Sequence, residues 1–416
     1  MRGRLCLVLL VCLLMIPGLA SAGDKEIIIG MSATYTGGLA AIGKHVSDGM
    51  VDLLRYIGAH GGIEYKDPKT GKMEKVGLKV LWEDNQYNVA KAVAAYKSFK
   101  ARGAHMITGF GSTPGEACAA SASRDKLPYL SWYAYASPAG YAPKPQYYWT
   151  LLPTVGESNT AMIKWFVNEK WKGDRKPRIG LMATNIPSWR VLAKEGIMDK
   201  YIEGLGAELA GIEFTPVVVT DLSIPLNRLI KDNKADCIVH SGVLSDTVVL
   251  AKDLKRLGID TQQITIINNA SSWDESLLTS IPQEIEGLYG ELFNATENCP
   301  GLERVKTVAK WAGRQESAIT ANYINGFLGS WVIEVALTRA LEKAGYEAVT
   351  KDGQVIKETL ETLQRHDYGG LAPEVEVKYP EEPYFVNYNR MVIAKDGKFV
   401  PVSDWIAIDP IKGALE

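Results

Sequence analysis

Met106-Ile107-Thr108-Gly109-Phe110-Gly111-Ser112-Thr113-Pro114-Gly115-Glu116-Ala117 decides how the rest of the chain is read. An apolar run leads into two glycines, then two hydroxyls, then Pro114, a residue suited to the first position of a helix. The stretch therefore predicts a strand, a tight turn and a helix start. The first backbone N–H groups of a helix have no intrahelical partner, and a hydroxyl at the cap adds a further donor, so such a turn can hold a carboxylate or a phosphate. The same residues also make a well-capped helix that holds nothing, and the flanking chain has to separate the two.

Upstream, Glu26 to Met31 is a β-branched run suited to a buried strand, followed by the polar turn Thr34 to Gly38. Val46, Met50, Leu53, Leu54 and Ile57 then form the apolar stripe of a helix ending at Gly61-Gly62. Leu78 to Trp82 predicts a second strand, and Val89 to Phe99 a second helix. Downstream, Tyr129-Leu130 is a short strand followed by a loop, Ser131 to Pro138, with Trp132, Tyr133 and Tyr135 at a strand end, where aromatics line a pocket or cover a core. Tyr147 to Thr154 reads as a strand leaving this unit.

The alternation then restarts. Strands are expected at Arg178 to Met182, Val217 to Val219, Asp236 to His240 and Ile264 to Ile267, with helices at Val191 to Leu205, around Leu226 to Ile230, and at Val248 to Leu257. Glu286 to Phe293 reads as a crossing strand, and Ala321 to Ala344 as a long helix ending at Gly345. Val375 to Lys378, Phe385 to Ala394 and Lys398 to Val402 read as strands of the tail. Two α/β units in tandem, each with a parallel-rich sheet, place their ligands outside the carboxyl ends of the strands.

The 416 residues suit two domains at roughly 100–200 residues each. A net charge of -2 argues against a nucleic-acid partner. Arg2 and Arg4, the apolar Leu5 to Ile16 and Ala20-Ser21-Ala22 form a cleavable export signal, with no cysteine placed for a lipid anchor, so a soluble periplasmic protein is expected. Cys118, Cys237 and Cys299 remain, an odd number with no metal-ligand spacing, and are expected to be buried thiols. His45, His60, His105, His240 and His366 are scattered, and neither a metal nor a cofactor is expected.

Enzyme motifs fail on inspection. The third glycine of the opening turn is one residue late for a dinucleotide fingerprint, and the next strand runs into Ser131-Trp132-Tyr133 instead of an acid. The turn lacks the lysine of a P-loop, no G-x-S-x-G elbow occurs, and nothing marks a catalytic pair of carboxylates. Hydroxyls, glycines and aromatics at strand ends are binding features.

The order of these motifs resembles the periplasmic leucine/isoleucine/valine-binding proteins of bacterial ABC importers. The resemblance rests on Ile29 to Ser32 with Thr36-Gly37 and Gly43, Trp82 to Asn85 with Val89 to Val93, Gly109 to Thr113, and Leu127 to Ser131. It continues through Glu286-Gly287-Leu288, the Tyr323 helix ending in Ala340 to Gly345, and Asp396 to Val402. It implies two Rossmann-like lobes, 23–150 with 292–373 and 151–291 with 374–416, joined by three hinge crossings near Leu151, Leu292 and Pro373. The ligand would lie in the cleft between them.

The resemblance also implies site residues. A ligand carboxylate would be held at Thr113, with Ser112 beside it, and further contacts would fall on Tyr133, Ala134 and Tyr135. The second lobe would contribute Ser188, Trp189, the loop from Ser241 to Leu244, and the loop after Asn269. This sequence departs from the family at Ala270, which stands where the family keeps a carboxylate for the ligand's ammonium; Asp274 is the nearest substitute. Ile42 and Leu244 replace family aromatics. The ligand is thus a hydrophobic amino acid or an aromatic or other organic acid without an amine. The implied protein is a monomeric binding protein, not an enzyme, whose partner is an inner-membrane ABC permease. A sensory subunit of the same fold that docks a regulator is the alternative.

Overall fold

Two sheets, each wrapped by helices, account for nearly every strand. The computed structural model describes residues 25–374, 377–380 and 382–415. The expected export signal and half of the expected strand Val375 to Lys378 lie outside them.

The first unit contains β1 (Glu26–Ala33), α1 (Ala40–Ala59), β2 (Ile63–Lys66), β3 (Met73–Asp84), α2 (Val89–Ala101), β4 (Met106–Phe110), α3 (Ser112–Asp125), β5 (Tyr129–Tyr135), the short α4 (Pro138–Tyr141) and β6 (Tyr148–Leu152). Its strands lie in the order β2-β3-β1-β4-β5-β6. All pairs are parallel except β2 with β3, a hairpin that the short alternation Ile63 to Lys66 did not announce. β4, β5 and β6 are buried along their whole length, as expected of parallel strands covered by helices on both faces.

The second unit runs through α5 (Val155–Trp165), β7 (Arg178–Thr184), α6 (Met198–Gly204), β8 (Glu208–Thr215), α7 (Ser223–Leu226), β9 (Cys237–Ser241), α8 (Leu244–Arg256), β10 (Thr265–Asn268), the short α9 (Ser276–Ser280) and α10 (Pro282–Ile285), and β11 (Tyr289–Leu292). The chain then returns to the first unit with α11 (Pro300–Trp311), α12 (Ala321–Ala344), α13 (Tyr346–Lys351) and α14 (Gln354–Glu361). It ends in the second with β12 (Tyr388–Lys395), β13 (Lys398–Pro401) and β14 (Ile406–Ala407). The second sheet has the order β13-β12-β11-β10-β9-β7-β8, with β14 on β12.

The chain passes between the sheets three times: from β6 into α5, from β11 into α11, and from α14 into β12. The passages are tied to one another. Phe385 and Val386 donate to the Leu151 carbonyl at 2.9 and 3.1 Å, and Ala295 donates to that of Leu371 at 2.7 Å.

Several expectations are corrected. Ser131 to Pro138 is not a loop from its start, because β5 continues to Tyr135, paired with β4 on one side and β6 on the other. Val217 to Val219 is not a strand; β8 ends at Thr215, and Val217 and Val218 are 50% and 79% exposed. The helix expected over Val191 to Leu205 is a 3-10 turn, Pro187–Ala193, followed by the short α6. Helix α12 matches its expected bounds, because Thr320 accepts from Tyr323 N–H at one end and Gly345, with φ of 79°, stops it at the other.

Candidate binding site

Both sheets reverse their strand order at one point, between β1 and β4 in the first and between β7 and β9 in the second. Such a reversal splays the loops at the carboxyl ends of the two strands apart and leaves a crevice. The two crevices face each other. Leu39 and Ile42 after β1, and Gly111 and Ser112 after β4, meet Ile186 and Trp189 after β7 and Val243 after β9 across one cleft. Tyr87, Phe110, Tyr133, Tyr135 and Ser271 complete its lining, which contains no charged side chain.

The amino end of α3 opens into this cleft. Gly111 is its cap, with φ of 90°, and no side chain caps the helix. The ring of Tyr87 lies so close that a Cβ on Gly111 would fall 2.4 Å from it, so both conformation and space require glycine. That left-handed turn starts the helix two residues earlier than Pro114 suggested, so Ser112 and Thr113 sit in its first turn instead of at its cap. Ser112 Oγ accepts the Tyr135 N–H at 3.0 Å, and the Tyr87 hydroxyl meets the hydroxyl and N–H of Thr113. Ser112 and Tyr87 thus line the cleft at the amino end of the helix, while Thr113, expected at the ligand's carboxylate, lies off the lining with its hydroxyl and N–H toward Tyr87.

β5 delivers the aromatic wall. Its register against β6 shifts between Ser131 and Tyr135, and Tyr133 takes a φ of 52°, an uncommon backbone state for an aromatic residue. Such departures concentrate where geometry serves function. Tyr133 stacks on Phe110 with ring centroids 6.1 Å apart, and Tyr135 meets Trp189 edge-on at 5.6 Å. Ala134 is buried between them and does not line the cleft.

The other expected second-lobe residues divide. Trp189 lines the cleft; Ser188 is buried behind it, its hydroxyl without a partner. Val243 occupies the wall where Leu244 was expected, and Leu244 packs toward the core of the second unit. Ala270 is buried, and its N–H donates to Glu291 Oε1 at 3.2 Å. Asp274 does not line the cleft. Its carboxylate accepts from Asn322 Nδ2 at 2.8 Å, and neighbouring Glu275 accepts from Ala321 N–H at 2.7 Å. Both acids thus clasp the amino end of α12, a helix that packs on α1 of the first unit.

Glu291, unnoticed in the sequence, is the acid nearest Ala270. It is fully buried in β11 and also accepts from the Ser158 hydroxyl at 3.2 Å and from Asn389 Nδ2. Among the described residues no cation faces it, and burial pushes its carboxyl up to about 8. The signal in the sequence was an acid inside an otherwise apolar crossing strand.

Among the described residues no group of three or more His, Cys, Asp or Glu side chains could hold a metal, and no helix is long and apolar enough to cross a membrane. The three cysteines among the described residues are free; Cys118 and Cys237 are buried, and Cys299 is only half-buried.

The sequence profile of the family described as "Periplasmic binding protein" matches residues 26–377. The chain belongs to that family. Among proteins of curated function, none matches it in sequence. Similar solved structures include a branched chain amino acid ABC transporter protein from Thermus thermophilus with bound valine, at 18% identity and TM-score 0.75, covering 92% of this chain and 97% of that one. A solute-binding protein from R. palustris in complex with 4-hydroxybenzoate is 17% identical, with TM-score 0.73 and coverage of 94% and 99%. A fatty acid ABC transporter substrate-binding protein from Thermomonospora curvata is 18% identical, with TM-score 0.72 and coverage of 92% and 93%. At these identities the likeness establishes that the binding protein shares their fold.

Proposed function

We propose that this binding protein is the extracytoplasmic solute receptor of an ABC importer. It closes its two lobes on a small organic acid or amino acid and hands the closed form to a membrane permease. The lobes are the segments 23–150 with 292–373 and 151–291 with 374–416, turning about the three linked passages after export through the cleaved leader. The observation that carries the reading is the uncapped amino end of α3 opening into a buried, aromatic, uncharged cleft at the strand-order reversals of both sheets. One end of the ligand is then anionic and the rest apolar. Valine, 4-hydroxybenzoate and a fatty acid, which the similar structures name, have a carboxylate in common, and valine alone adds an α-ammonium beside it.

Ligand binding to the closed state drives closure only through its difference in affinity for the two states. A thermal-shift panel of carboxylic acids, amino acids and uncharged sugars tests the reading. A true ligand at 100 times its dissociation constant adds about 2.7 kcal/mol to stability. A panel in which a sugar shifts the melting point and no acid does would overturn it.

A further inference from the structure

We infer that Tyr135 decides which acids the cleft accepts: its phenol, reaching across from the first lobe, plugs the polar cage of the second and excludes ligands that carry an α-ammonium. This rests on the proposed carboxylate site and names the ligand class for it.

The cage is made of second-unit groups. Asn269 Nδ2 donates to the Tyr135 hydroxyl at 3.1 Å, and the hydroxyls of Ser271 and Ser158 flank the same oxygen. Ser158 in turn donates to Glu291 at 3.2 Å. Tyr135 lines the cleft and Glu291 does not, so the phenol and Ser158 stand between the ligand and that buried acid. The other acceptors are committed. Ser271 Oγ accepts from Asn269 at 2.7 Å while donating to the Gly242 carbonyl at 2.9 Å, and Asn269 Oδ1 accepts the Gly242 N–H at 3.2 Å.

An ammonium taken out of water needs a carboxylate or several free acceptors; the cleft lining holds no charged side chain, and the buried, unpartnered Tyr133 hydroxyl is a single acceptor. Tyr135 is also fixed in place. Its N–H is tied to Ser112 Oγ at 3.0 Å, its ring abuts Trp189, and the residue is 2% exposed. A carboxylate at Ser112 and Thr113 therefore sets its α-carbon against Tyr135, where an amino acid carries its charge. Arylcarboxylates and unsubstituted aliphatic acids present no cation there.

Matched pairs test this on the whole protein by calorimetry: phenylalanine against 3-phenylpropanoate, and leucine against 4-methylpentanoate. Wild type is expected to bind each des-amino acid at least tenfold more tightly than its amine. Tyr135→Ala, which uncovers the cage and the way to Glu291, should shrink that ratio at least tenfold; if it fails to fold, Tyr135→Leu carries the same test. Tyr135→Phe, whose ring still fills the cage, should keep the preference. Equal binding of amine and des-amino acid by wild type, an unchanged ratio in the opened variant, or a lost ratio in Tyr135→Phe would each overturn the assignment. If neither pair nor benzoate binds wild type at all, the carboxylate reading itself has failed, and the inference falls with it.

Discussion

Helices α3 and α8 begin at equivalent places, each at the carboxyl end of a strand beside the order reversal of its sheet, yet they present opposite chemistry to the cleft. The first turn of α8 carries its own acid: Asp246 accepts from the Val243 N–H at 3.3 Å and the Thr184 hydroxyl at 2.8 Å. Its positive end is thereby answered from within. α3 has glycine at its cap and no acid in its first turn. Two lobes of like topology thus divide the work. The first keeps a helix end open for an anion, and the second spends its polar groups on one another and on Tyr135.

The strongest way to sharpen this contrast is through Glu291, the buried acid behind the second lobe's polar cage. Its carboxyl titrates near 8 when folded, against an ordinary 4.5, so the folded protein keeps a proton that the unfolded chain releases. Its contribution to stability is intact below pH 4.5, falls as pH rises, and levels off above about 8. We expect wild type to lose about 3 kcal/mol more than Glu291→Gln between pH 5 and 8, read from denaturant melts at both pH values; Glu275, which burial pushes up to about 7, adds a loss of the same sign to both. A wild-type protein with the same pH slope as that variant would contradict the buried, unpaired state of this acid.

The α8 cap comes next. Asp246→Ala leaves the Val243 N–H and the Thr184 hydroxyl without their acceptor and is expected to cost about 2 kcal/mol of folding stability in urea melts. The corresponding change on α3 should act on binding. Thr113→Ala is expected to weaken a carboxylate ligand by about 1.5 kcal/mol in calorimetry while shifting the melting point of the free protein little. If Thr113→Ala costs stability and spares affinity, the two helix ends are alike after all. The smallest effect is expected from Asp274→Asn, which keeps a hydrogen-bonding group at the α12 clasp but removes its charge. Loss of about 1 kcal/mol from the closed state should appear as slightly weaker binding and a larger radius of gyration in solution scattering.

Much of the frame was legible in the sequence because it is local. The apolar stripe of α1, the bounds of α12 from Ala321 to Ala344 with its stop at Gly345, and the strand and helix around Gly111 follow from the period of apolar residues and from punctuation by glycine, proline and hydroxyls. Extended segments were harder. β5 was cut short at Leu130 because a run of aromatics and hydroxyls has no clear period, and only pairing on both edges makes it a strand. Val217 to Val219 has strand propensity but no neighbouring strand to use it.

The site shows the same division. Ser112, Tyr133, Tyr135 and Trp189 were named from sequence and line the cleft. Tyr87 and Glu291 were not; Val243 fell within the expected Ser241 to Leu244 loop, Thr113 was named but lies off the lining, and Asp274 was expected at the ligand but sits on α12. The amino-acid sequence by itself determined the alternation of strand and helix and a glycine-led helix start after the Met106 strand, because these depend on residues a few positions apart; the turn at Gly111, which starts the helix at Ser112 and leaves Glu116 beyond its first turn, was decided by the fold. Tertiary structure decided which side chains meet. Tyr87 closes over Gly111, Glu291 finds Ser158 and Asn389, and Tyr135 crosses to Asn269 134 residues away, through sheet register and lobe contact that no local pattern encodes.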